Sequence, residues 1–91
     1  MLRQIVGRSM HPHFPEGKVV VASGWFKHIE PKDVVIIVHD GIEKIKRIER
    51  VRAQEVYVLG DNAPVSTDSR DFGWLPEETF IAKLIWPRTK S

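Results

Sequence analysis

A serine, a lysine and one polar loop supply the residue types of acyl-transfer chemistry. Ser9 stands in Val6-Gly7-Arg8-Ser9-Met10-His11-Pro12. Gly7 lets the backbone turn tightly two residues before the hydroxyl, and Pro12 keeps the segment out of a helix. A turn of this kind presents a hydroxyl with free backbone N–H groups beside it, as a nucleophile needs. On its own, a serine beside a glycine is an ordinary turn residue.

Lys46 lies in Lys44-Ile45-Lys46-Arg47-Ile48. A lysine in a half-buried strand normally carries its ammonium out to water. If desolvation and a neighbouring cation such as Arg47 lower its pKa, it becomes a base able to take a serine's proton. Serine–lysine pairs are a known variant of the nucleophile–base arrangement. The third stretch is Gly60-Asp61-Asn62-Ala63-Pro64-Val65-Ser66-Thr67-Asp68-Ser69-Arg70-Asp71-Phe72-Gly73. Its composition suits solvated turns, yet a loop this long in a small domain is more often functional. Asp68 and Arg70 are placed to form an ion pair that pins it, and Ser66 to hydrogen-bond a buried amine.

The elements that must hold these residues are strands. Residues 2–6, 18–22, 33–39, 56–59 and 81–86 read as short strands rich in β-branched residues. Asp40-Gly41 predicts a tight type I′ hairpin. In the strand that follows, Ile45 and Ile48 fall on opposite faces, which suggests a bulge near Arg47. Residues 60–73 are expected to lack regular structure, and residues 75–80 to form a single helical turn. The expected fold is all-β: a compact, twisted antiparallel sheet or partly open barrel, in one domain over residues 1–91.

Composition narrows the function. The chain has 91 residues and a formal net charge of +2, with acids and bases interspersed. No long basic run favours nucleic acid. It has no cysteine, which removes thiol nucleophiles, disulfides and the common zinc modules. His11, His13, His28 and His39 are scattered without metal-ligand spacing, so neither a metal nor another cofactor is expected. The apolar runs are far shorter than a membrane span. Trp25 and Phe26 suit core packing best, with a substrate groove or a membrane surface as the alternatives.

Taken together, Gly7-x-Ser9-Met10-x-Pro12, Lys46-Arg47 and Gly60-Asp61-Asn62-x-x-x-Ser66-x-Asp68-Ser69-Arg70-x-x-Gly73 resemble the type I signal peptidase family of serine peptidases. Its catalytic fold is shared with LexA-type autoproteases. The resemblance runs from residue 5 to 86 and implies a serine endopeptidase that removes an N-terminal leader from a precursor protein. It makes Ser9 the nucleophile and Lys46 the general base. Ser66 then orients the amine, Asp68 and Arg70 hold the loop, and Asp61 positions it. The Ser9 N–H would line the oxyanion hole, with Gly7 where some relatives add a hydroxyl. Where members often carry Gly-Asp, this chain has Gly17-Lys18 and Lys32-Asp33.

Only eight residues precede Ser9, so no transmembrane anchor is expected before it. Small relatives without an anchor resemble the peptidases that mature nickel superoxide dismutase. That makes a cytoplasmic dismutase precursor the expected partner. The alternatives are the catalytic core of a membrane-associated signal peptidase and a catalytically silent peptide-binding module.

Overall fold

A computed structural model describes residues 1–25 and 28–87. Seven strands form one antiparallel sheet: β1 (Leu2–Gln4), β2 (Val19–Ser23), β3 (Val34–His39), β4 (Ile42–Arg52), β5 (Glu55–Leu59), β6 (Leu75–Pro76) and β7 (Phe80–Trp86). Their spatial order is β1-β2-β7-β3-β4-β5-β6, so the sheet is open and β1 and β6 are its edges. The all-β expectation holds. Among the described residues the longest helix is the four-residue α1 (Ser69–Phe72), and none is long and apolar enough to cross a membrane.

β3 sits mid-sheet with Val34, Val35, Ile36 and Ile37 all buried. Period-two alternation splits them between two cores. Val34 and Ile36 pack with Ile5, Met10, Phe14, Val20 and Leu84. Val35 and Ile37 pack with Ile48, Val56, Val58 and Leu75. A strand covered on both faces reads as a continuous apolar run, as residues 34–38 do. Ile45 and Ile48 serve the two different cores, and the predicted irregularity in β4 lies between Ile48 and Arg50.

The Asp40-Gly41 turn forms as expected, with positive φ at both residues (52° and 75°). Other local expectations need correction. β1 stops at Gln4, although Ile5 N–H still bonds Lys18 O at 2.8 Å. Residues 60–73 are not without regular structure: they hold a 3₁₀ turn at Ala63–Val65 and α1. Of residues 75–80, Leu75 and Pro76 pair with β5 and only Glu77–Thr79 turn helically. Trp25 is 96% exposed and is no core residue; Phe26 lies outside the described residues.

Lys32 shows where one departure from Gly-Asp falls. Its φ is +79°, a left-handed conformation that strains a side chain and suits glycine. Its backbone is pinned there, because Lys32 N–H donates to Ile48 O at 2.8 Å. Lys32→Gly is therefore expected to stabilise the fold by about 0.5–1 kcal/mol, raising Tm by roughly 2–8 °C in a thermal melt. An unchanged or lower Tm would contradict this.

Candidate active site

The Ser9 turn leaves β1 through Gly7, whose φ of +81° would strain any side chain. Gly7 N–H is held by Glu16 Oε2 at 3.1 Å. Beyond Ser9 the chain coils, with His11 N–H bonded to Arg8 O and Phe14 N–H to Met10 O. Met10 and Phe14 are buried and anchor the turn in the first core. The Ser9 hydroxyl and its own N–H make no hydrogen bond among the described residues. Both stay available to a ligand.

Lys46 projects from β4 opposite Val35 and is only 3% exposed. Its Nζ donates to Ser66 Oγ at 3.0 Å, and that hydroxyl donates to Asp68 Oδ2 at 2.6 Å. Desolvation is the main force lowering the Lys46 pKa below its ordinary value. Asp68 and Asp71 oppose it, while Lys44 and Arg70 reinforce it. The neighbouring cation expected from the sequence, Arg47, is not among those causes. Adjacent strand residues point to opposite faces, and Arg47 grips Asp61 in two bonds of 2.8 Å.

Asp68 is fully buried. Burial alone would raise its pKa. The Arg70 guanidinium, the Ser66 hydroxyl and the N–H groups of Gly60 and Arg70 outweigh that, and hold the carboxyl well below the usual range. Arg70 Nε donates to Oδ1 at 3.0 Å and Nη2 to Oδ2 at 2.5 Å, a bidentate charge-assisted pair. The ion pair expected from the sequence is therefore present. Asp68 and Asp71 also cap α1 reciprocally, each accepting from a backbone N–H of the other's end.

Asp61 joins three parts of the molecule. Beside Arg47 of β4 it meets His13 Nδ1 at 3.0 Å, and its own N–H points at Met10 Sδ, 3.5 Å away. Two residues given no role from sequence also hold the site. Asn62 bonds the Ser9 turn twice, through its N–H to Ser9 O at 2.7 Å and through Nδ2 to Arg8 O at 3.0 Å. At Gly60 a Cβ would lie 2.1 Å from Ser66 Oγ and 2.8 Å from Ser9 O. Both stand at fixed positions of the loop motif, while the contacts that give them their roles are tertiary.

Ser9 and Lys46 line one cavity of about 510 Å³, walled by Ile5, Met10, Lys44 and Val65 among others. Ser66, Asp68 and Arg70 form its support, while Asp61 and Gly7 shape the turn. A larger groove of about 930 Å³, bounded by Val51, Gln54, Glu77 and Phe80, includes none of these residues. The structure thus brings a buried amine with weakened proton affinity and an unengaged hydroxyl to one partly apolar cavity, with no hydrogen bond between them.

The buried amine carries a stability consequence. Because the folded pKa of Lys46 lies below the unfolded one, wild-type stability rises with pH between those two values. Lys46→Met is expected to be more stable at pH 7 by about 1 kcal/mol. Denaturant titrations across pH should show that advantage shrinking as pH approaches 10.5. A Met variant less stable at pH 7 would contradict the desolvation argument.

Known families provide a separate comparison. The model described as "Signal peptidase, peptidase S26" matches residues 39–88. No curated protein matches the chain. The matched span takes in Lys46, Asp61, Ser66, Asp68 and Arg70 and leaves Ser9 outside it. It covers over half of the chain and the whole loop that supports the buried amine, and on that match the chain belongs to the signal peptidase family of serine peptidases.

Proposed function

We propose that the chain is a serine endopeptidase in which Ser9 is the nucleophile and Lys46 the general base, removing an N-terminal leader from a precursor protein. The observation that carries this reading is the Lys46–Ser66–Asp68–Arg70 relay opening on the same cavity as Ser9. In the reaction, the neutral Lys46 amine takes the Ser9 proton as Oγ attacks the scissile carbonyl carbon. The Ser9 N–H faces the developing oxyanion. Lys46 then returns the proton to the leaving amine as the C–N bond breaks, which leaves an acyl ester on Ser9. Water then gives a proton to Lys46 as it attacks that ester, and Ser9 Oγ leaves, taking the proton back, so that the leader departs with its new carboxylate. Ser66 occupies one N–H of Lys46 and so directs the amine's lone pair; Asp68 fixes Ser66.

The precursor we propose is that of nickel superoxide dismutase, processed in the cytoplasm. The three motifs support the family, and this finer reading follows from the resemblance to small maturation peptidases drawn from the sequence. Secretory leaders are the substrate that the family description favours instead. Mass spectrometry of the new N-terminus after incubation with each precursor decides between them. Cleavage of the dismutase leader is the expected result. Cutting only of a secretory leader in detergent would reassign the substrate.

Two results test the chemistry. Ser9→Ala and Lys46→Ala should each lower kcat/KM by about 10³-fold or more, and Lys46→Arg should fail likewise, because an arginine stays protonated. The lowered Lys46 pKa sets the sign of the pH dependence: kcat/KM rises with pH through that value and levels off above it, short of 10.5. A flat profile from mildly acidic to alkaline pH, or wild-type rates in both alanine variants, would overturn the assignment.

A further inference from the structure

β1 and β4 are not neighbours in the sheet, yet residues 3–6 and 43–46 line opposite sides of the cavity that holds Ser9 and Lys46. Each side presents a free backbone edge. Met1 O accepts from Ala22 N–H, and Ile5 bonds both Lys18 O and Gly17 N–H. The odd residues therefore face β2, and Leu2 and Gln4 turn their N–H and C=O away from it. On β4, Ile48 bonds Asp33 O and Lys32 N–H, so the even residues face β3 and Glu43 and Ile45 face away. β5 takes up that edge only from Arg47 onward.

One ion pair crosses between these edges. Arg3 Nε donates to Glu43 Oε1 at 2.5 Å and Nη2 to Oε2 at 3.3 Å, a bidentate pair. Arg3 stands opposite buried Val20, and Glu43 lies two residues before Ile45, which packs against the first core. Both side chains therefore leave on that core's face, and the bridge runs beneath the slot rather than through it. The two meet at their tips. One missing strand puts the flanking backbones two strand spacings apart, about 9.6 Å, a span that extended arginine and glutamate side chains cover between them. Arg3 Nη1 also donates to Leu2 O at 3.0 Å, which takes up an edge acceptor and ends the slot there. We infer that Arg3 and Glu43 are positioning residues for the substrate, whose ion pair holds β1 and β4 one strand's width apart so that the precursor's backbone enters between them. The inference rests on the proposed roles of Ser9 and Lys46. An extended peptide bonds to sheet edges through its main chain, and a gap already set lowers the cost of ordering it.

The probe is a peptide that the wild type cuts from a proteome-derived library, identified by mass spectrometry and used for steady-state kinetics. Arg3→Ala and Glu43→Ala should each raise KM about threefold to fivefold, the range one partly exposed ion pair supplies. In both, kcat should stay within about twofold of wild type, because the reacting groups are untouched. The exchanged pair, Arg3→Glu with Glu43→Arg, should return KM close to the wild-type value. A variant that had merely lost folded protein would show a lower kcat at unchanged KM. Capture of the same library on immobilised Ser9→Ala reads binding without turnover: adding Arg3→Ala should thin the captured pool, and adding the exchanged pair should restore it. If the wild type cuts nothing, the catalytic reading fails and the captured pool alone judges the ion pair. An unchanged or lower KM in the alanine variants, an exchanged pair no better than they are, or a captured pool that is empty or indifferent to Arg3 overturns the inference.

Discussion

Asp68 is the residue on which the site depends. Its carboxylate is fully buried, and isolated in that position it would be costly. Arg70, Ser66 and the Gly60 N–H converge on it, and it in turn caps α1 and holds Ser66 against Lys46. Because its folded pKa is depressed, this contribution to stability is whole at neutral pH. It is lost only as pH falls below the ordinary carboxylate range. Ser66 therefore sits at the meeting point of a firmly ionised acid and a reluctant base. Its hydroxyl donates to the first and accepts from the second, and only that polarity leaves the amine's lone pair unspent.

The cost of the arrangement falls on β4. A strand whose next inward residue is Ile48 has a lysine where an apolar side chain would pack. Burial weakens the ammonium, and Lys44 and Arg70 add repulsion, while Asp68 pulls the other way at the far side of a hydroxyl. Moving Asp68 into direct contact with the amine would raise its proton affinity further. The interposed serine keeps the carboxylate's orienting effect and dilutes its charge.

What was legible in the sequence follows from how local each signal is. Asp40-Gly41 was readable because both residues tolerate the positive φ that the turn imposes. The Asp68–Arg70 pair was readable because its members stand two apart in one motif. Arg47 was misjudged as a neighbour of the Lys46 charge, although strand alternation sends it to the other face. α1 escaped because four residues leave no periodicity; its one signature is the Asp68-x-x-Asp71 capping box. Trp25 stays outside both cores, whose aromatic places are taken by Phe14 in one and by Phe72 and Phe80 against the other. Gly60 heads the loop motif, but the reason for a glycine there is not local, since what constrains it are atoms of Ser9 and Ser66.

That glycine shows how the Ser9 turn and the Lys46 amine are kept in register. The Ser9 turn has its own apolar anchors in Met10 and Phe14, but its polar ties run to the loop: Asn62 holds Ser9 O and Arg8 O, and Asp61 meets His13. The same loop supplies Ser66 to Lys46. Gly60, bonded to Asp68 through its N–H, lies against both groups, closer than a Cβ would allow. One short segment thus references both Ser9 and Lys46 to a single buried carboxylate. A shift of the loop carries them together, whereas a side chain at residue 60 would drive them apart. The proton transfer we propose depends on their separation far more steeply than on where the pair sits in the sheet, so the constraint belongs in this loop rather than in the strands.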